Sequence, residues 1–123
     1  MALLDNRVFD NGLTVLDTEA NAIYITSQQA VSYVDATSTS ALGDSTSLSI
    51  AAPSDRSGGG REVVVAAITD GSVTDTGTAT HYAIVDTVNS RLLAAGSLTA
   101  SQSVTTGNTF TLSSVSIGIP DPA

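Results

Sequence analysis

The chain contains no cysteine, no lysine and no tryptophan, and only one histidine. Without cysteine there is neither a disulfide framework nor a thiolate nucleophile. Zinc sites draw on clusters of His and Cys, and His81 stands alone. A phosphate-binding P-loop needs a lysine after its glycines. Two Phe and three Tyr are the only aromatics, so the core must be aliphatic. Glutamate occurs only at Glu19 and Glu62, a poor basis for the paired carboxylates of a glycosidase. Long apolar runs are missing too. Val63 to Ile68 is far too short to cross a bilayer, and the first residues, Met1 to Arg7, lack the basic and apolar regions of a signal peptide.

The residues that are present favour strands. Ser and Thr exceed a quarter of the chain, alongside plentiful Val, Ile, Leu and Ala. Hydroxyls compete for backbone hydrogen bonds inside helices, whereas Thr, Val and Ile suit a pleated sheet. The net charge is −8, which repels phosphate backbones and anionic membrane surfaces, so neither nucleic acid nor a membrane is an expected partner. Such acidity also favours solubility at high copy number.

The expected organisation is an N-terminal arm at 1–12, a β-domain at 13–119 and a short tail at 120–123. The arm carries Leu3, Leu4, Val8 and Phe9 among polar residues, a pattern too brief to define a helix. Strand-like runs follow at Leu13–Leu16 and Ala22–Thr26, read as a hairpin, and at Ala30–Asp35. A Ser/Thr-rich loop is expected at Ala36–Ser45 and a strand at Thr46–Ala51. Beyond the loop Pro53–Gly60, the strongest strand runs from Arg61 to Thr69 and ends in the turn signal Asp70-Gly71. Further strands are expected near Ser72–Asp75, Thr78–Thr87, Ser90–Ala95, Ser101–Thr105 and Thr109–Ile119, with a turn at Gly107-Asn108. Together they indicate an all-β fold, a compact antiparallel sandwich or barrel of about seven to nine short strands with an extended N-terminal arm.

The chemistry-bearing residues are sparse. The glycines Gly58, Gly59 and Gly60 precede a strand, not the helix N-terminus that gives phosphate loops their anion affinity. They read as a surface loop whose Arg56 and Arg61 can contact acidic groups on a partner. A Ser-His-Asp relay would need His81 with Asp70 or Asp86, but His81 lies within a strand-like run and reads as a packing residue. The oxygen-rich stretches Asp70–Asp75 and Asp17–Glu19 are the best calcium candidates, and neither has EF-hand spacing. No catalytic residue, cofactor or metal site is therefore expected. From Leu92 to Pro120 there is no charged residue at all. Exposed strand edges usually carry charge or proline, so this segment is either a solvated Ser/Thr surface or part of a subunit interface.

The runs Ala66–Gly71, Gly77–Thr87 and Ser90–Gly96, with the segment from Thr109 to Pro122, resemble small virion proteins encoded among the head genes of tailed bacteriophages. The likeness covers roughly the second half of the chain. It implies a capsid decoration or cement protein, on the virion surface after synthesis in the host cytoplasm. The implied partners are the major capsid protein and further copies of itself, a homotrimer being favoured, with the arm gripping neighbouring shell subunits. The alternatives are a head- or tail-fibre subunit, and a carbohydrate- or calcium-binding β-sandwich module.

Overall fold

The computed structural model describes residues 6–120, and of residues 6–9 the backbone only. A helix, α1 (Asn6–Glu19), precedes nine strands: β1 (Ala22–Thr26), β2 (Ala41–Ser45), β3 (Ser54–Asp55), β4 (Arg61–Val65), β5 (Ile68–Val73), β6 (Gly77–Asp86), β7 (Arg91–Val104), β8 (Thr109–Leu112) and β9 (Val115–Ile119). A five-residue π-helical turn, Asp35–Thr39, lies between β1 and β2. All strand pairs are antiparallel. The all-β class and the number of strands are those expected from the sequence. The chain forms two compact units, neither continuous in sequence.

The smaller unit is α1 with the three-stranded sheet β3-β4-β9. Phe9, Leu13 and Leu16 recur at helical spacing, and the structure buries Leu13 and Leu16. The hairpin expected from Leu13–Leu16 is thus replaced by a helix that begins within the expected arm and runs on to Glu19. Two threonines that favour strands are accommodated because their hydroxyls turn back on the helix: Thr14 donates to the Asp10 carbonyl and Thr18 to that of Thr14. In β4, Val63 and Val65 are buried while Val64 between them is exposed, the alternation of a sheet with one covered face. The expected strand Thr46–Ala51 reduces to a single bridge, Ile50 to Val65.

The larger unit is a six-stranded sheet in the order β7-β6-β1-β2-β5-β8. Its register separates two faces. Ile23 pairs with Ile84, and Ile25 with Tyr82 and Gly43. This face carries Ile23, Ile25 and Ile84, all fully buried. On the opposite face, Ala22 pairs with Val85 and Tyr24 with Ala83, continuing across β7 to Leu92 and Ala95. Ala30 and Ala36 pack onto it, so the segment between β1 and β2 covers the sheet there. That cover explains why β6 is buried at every position from Tyr82 to Asp86, without the alternation of a half-exposed strand.

Several expected boundaries shift. Ala30–Asp35 is not a strand: it leads into the π-turn. The expected loop Ala36–Ser45 contains that turn and β2. Arg61–Thr69 is divided between β4 and β5, which belong to different sheets. Asp70-Gly71 is not a turn but lies inside β5. Ser90–Ala95 and Ser101–Thr105 are one bulged strand, β7, in which Leu98–Ser101 stand opposite Thr80 alone. Thr109–Ile119 divides at Ser113-Ser114 into β8 and β9, again in different sheets.

Candidate functional site

The residues singled out in the sequence are dispersed and individually satisfied. His81 is half-buried, with Nδ1 2.7 Å from the Thr80 hydroxyl next to it. Asp70 accepts from the hydroxyls of Ser45 (3.1 Å) and Ser47 (2.6 Å). Asp86 is buried and organises the β6–β7 turn. Its carboxylate accepts from the backbone N–H groups of Val88 and Asn89 and from the Asn89 amide. Neither aspartate orients His81. Among the described residues, no three His, Cys, Asp or Glu side chains are placed to hold a metal ion.

Arg61 sits at the start of β4 and is engaged from several sides. Its Nε donates to Asp10 at 2.9 Å, Nη1 to Asp55 at 2.7 Å and Nη2 to the Pro53 carbonyl at 3.2 Å. It thereby ties α1 and the loop before β4 to the sheet, and these partners hold its guanidinium above its ordinary pKa. Arg56 donates to the Gly59 carbonyl at 3.0 Å and closes the glycine loop on itself. Both arginines expected to contact a partner therefore have internal acceptors. Of the arm residues, Leu3 and Leu4 lie outside the described residues. Val8 and Phe9 lie on α1, their side chains outside what is described.

The most constructed polar feature was not singled out by the sequence. Asp35, buried at the head of the π-turn, accepts from the Ser40 hydroxyl and from the Val31 N–H at 3.2 Å. The Asp35 N–H donates to the Ser32 hydroxyl at 3.1 Å, and the Ala36 N–H to the Ser32 carbonyl at 3.0 Å. Ser32-Tyr33-Val34-Asp35 has the Ser-x-x-acid spacing of a helix start. That spacing was the available signal, hidden by the period-two alternation of Val31, Tyr33 and Asp35. The network pins a segment that presents Val31 and Val34 to solvent, at 83% and 63% of full exposure. Tyr33 is half-buried beside Tyr24, Leu92 and Ala95 on the covered sheet face. Burial, the Asp44 carboxylate and Tyr33 together raise the Tyr24 pKa. Chemically, this arrangement offers apolar contact and backbone pairing rather than proton transfer.

Three carboxylates of the larger unit share a pH dependence. Asp35, through Ser40 first, Asp70, through Ser47 first, and Asp86, through Asn89 first, are all held below the ordinary 3.8. A lowered pKa contributes stability that is present above the unfolded value and lost as pH falls through the folded one. Stability is therefore expected to be flat above about pH 5 and to fall below about pH 4. All three tyrosines, Tyr24, Tyr33 and Tyr82, lie in the larger unit, so tyrosine fluorescence during acid titration reads this loss directly. An Asp35→Asn variant should show a shallower acid dependence.

Comparison with protein-family models, curated proteins and solved structures returns no match.

Proposed function

We propose that the chain is a non-enzymatic virion structural protein, a decoration or cement protein that binds the outside of a tailed-phage head and stabilises the shell. The observation that carries this reading is the uncharged stretch from Leu92 to Pro120, which holds most of β7 and all of β8 and β9. It includes both edges of the six-stranded sheet, β7 and β8, and one edge of the three-stranded sheet, β9. An acidic chain of net charge −8 that leaves three sheet edges without charged guards beyond Arg91 is suited to assembly. The sequence resemblance supplies the identity of the assembly, with the major capsid protein and further copies of the chain, in a trimer, as partners. Stabilisation of a shell would follow from preferential binding to the mature lattice, and repetition over many sites makes a modest contact energy sufficient.

The length of β7, from Arg91 to Val104, also suits a fibre subunit, and copy number separates the two. Purified virions are expected to contain the chain in proportion to the shell subunit, and the purified chain is expected to bind mature capsids and raise their melting temperature. A few copies per particle would select the fibre. Absence from virions, with no binding to capsids, would end both readings.

A further inference from the structure

We propose that Ser27–Ser40 is a hinged flap that opens as one body and uncovers an apolar face of the six-stranded sheet while the strands beneath it stay paired. The inference goes beyond the structural role above, because it gives the larger unit a second conformation.

The segment is closed on itself. Its two ends meet where the Ser27 N–H donates to the Ser40 carbonyl at 3.0 Å, the narrow neck of an Ω-loop. Inside, the Asp35 carboxylate accepts from the Ser40 hydroxyl, the Val31 N–H and the Gln28 side chain. The Ser40 N–H donates to the Asp35 carbonyl at 2.9 Å, closing the π-turn. The Thr37 hydroxyl donates to the Tyr33 carbonyl at 2.9 Å, and that of Thr26 to the Gln28 carbonyl at 2.7 Å. Each of these bonds begins and ends within Thr26–Ser40. The buried carboxylate therefore travels with its donors, and opening leaves it paired, so the movement carries no penalty for an orphaned charge.

The hold on the sheet is apolar and small. The flap seats Ala30, Ala36 and part of Tyr33 against Ala22, Ala83 and Val85. Hydrophobic stabilisation scales with the area buried, and alanine methyls bury little. Val31 and Val34, the bulkiest aliphatic residues of the flap, stand in solvent and add nothing to its closure. The opposite face of the sheet carries Ile23, Ile25 and Ile84, which are larger and fully buried. That face does not depend on the flap, and β1 keeps β2 and β6 through backbone pairing. A segment bonded well within itself and weakly to its support opens at a lower free energy than the whole fold. Opening exposes Ala22, Ala83 and Val85 beside Tyr24, Leu92 and Ala95, so the flap governs access to one apolar surface.

The chain has no cysteine, so a single introduced thiol reports on its own position. Ala83→Cys on the sheet and Ala36→Cys on the flap each replace a fully buried alanine. Ala22→Cys offers a second sheet position if the larger side chain is not accommodated at Ala83. Reaction of each full-length variant with an aromatic disulfide reagent is followed against urea. One motion uncovers both sides of the contact, so Ala83→Cys and Ala36→Cys are expected to give opening constants equal within about threefold. Both should be nearly independent of urea well below the unfolding midpoint, because little surface is exposed. Ile84→Cys, on the other face of β6, should react only through global unfolding, at a rate that climbs steeply with urea. Adding Asp35→Asn breaks the frame of the flap. After correction for measured stability, it should speed the reaction of Ala83→Cys by about tenfold or more and leave Ile84→Cys unchanged. Unequal constants for Ala36→Cys and the sheet variant overturn the proposal. So does a urea dependence at Ala83→Cys that matches Ile84→Cys, or an Asp35→Asn effect that is the same on both.

Discussion

A Phe110→Ala variant is expected to lose about 3–5 kcal/mol of folding stability, read as a lower urea midpoint with tyrosine fluorescence. Phe110 is almost fully buried on β8 and is the large side chain opposite Gly71 on β5. A Cβ added to Gly71 would lie 2.3 Å from two atoms of the ring, and one added to Gly43 on β2 would lie 3.1 Å from it. The ring thus occupies the space left by two missing side chains, and its removal opens a cavity that rigid strands cannot close. Gly71→Ala should itself destabilise strongly, because a ring buried on both sides has nowhere to move. In the Phe110→Ala background the same Gly71→Ala change should be tolerated, giving a large favourable coupling in a double-mutant cycle. Gly43→Ala should not be rescued in this way. Its added Cβ would sit 2.5 Å from the Ser72 carbonyl oxygen, which is backbone. Equal rescue at both glycines would show that the ring is not the filler.

The second large effect lies in the smaller unit, within the run Gly58-Gly59-Gly60. All three have positive φ, at 90°, 105° and 94°. A non-glycine residue in such a conformation costs roughly 1–2 kcal/mol. Gly58→Ala should cost only that, since the nearest atom to its added Cβ is the Arg56 Nη1 at 3.9 Å. Gly60→Ala should cost substantially more. Its Cβ would come within 2.1 Å of the Ile119 carbonyl oxygen and 2.8 Å of the Pro120 Cα. Ile119 pairs with Arg61, so the change pries β9 from β4 at one end of their ladder. Hydrogen exchange is expected to quicken at Arg61–Val65 and Val115–Ile119 in Gly60→Ala and to stay near wild type in Gly58→Ala. Indistinguishable stability of the two variants would remove the close approach as the cause.

These glycines show how unevenly the sequence could be read. Gly58–Gly60 announces a loop, and it is one, but nothing local says that Gly60 is crowded where Gly58 is not. Asp70-Gly71 announces a turn, and it is a strand, because Phe110, thirty-nine positions beyond Gly71 in the chain, fills the place of the glycine side chain. Leu13–Leu16 reads as a strand because Thr14 and Val15 are β-branched. The helix forms because Leu13 and Leu16 can be buried together on one face and Thr14 has a carbonyl for its hydroxyl. Tertiary burial outweighs a propensity difference of under about 1 kcal/mol per residue.

What the sequence determined by itself was the class of fold: an aliphatic, Ser/Thr-rich chain with short alternating runs and glycine-marked turns, carrying no clustered His, Cys or Lys for the common chemistries. Composition and period are local properties, and they act before any contact forms. The tertiary structure decided the rest. It divided Arg61–Thr69 and Thr109–Ile119 between two sheets, joined two expected strands into β7, and set the Asp35 network over one face of β1 and β6. Each outcome depends on which distant strand offers backbone partners and buried area. Period-two alternation does not encode that choice, because it says which face a strand buries and not which strand lies beside it.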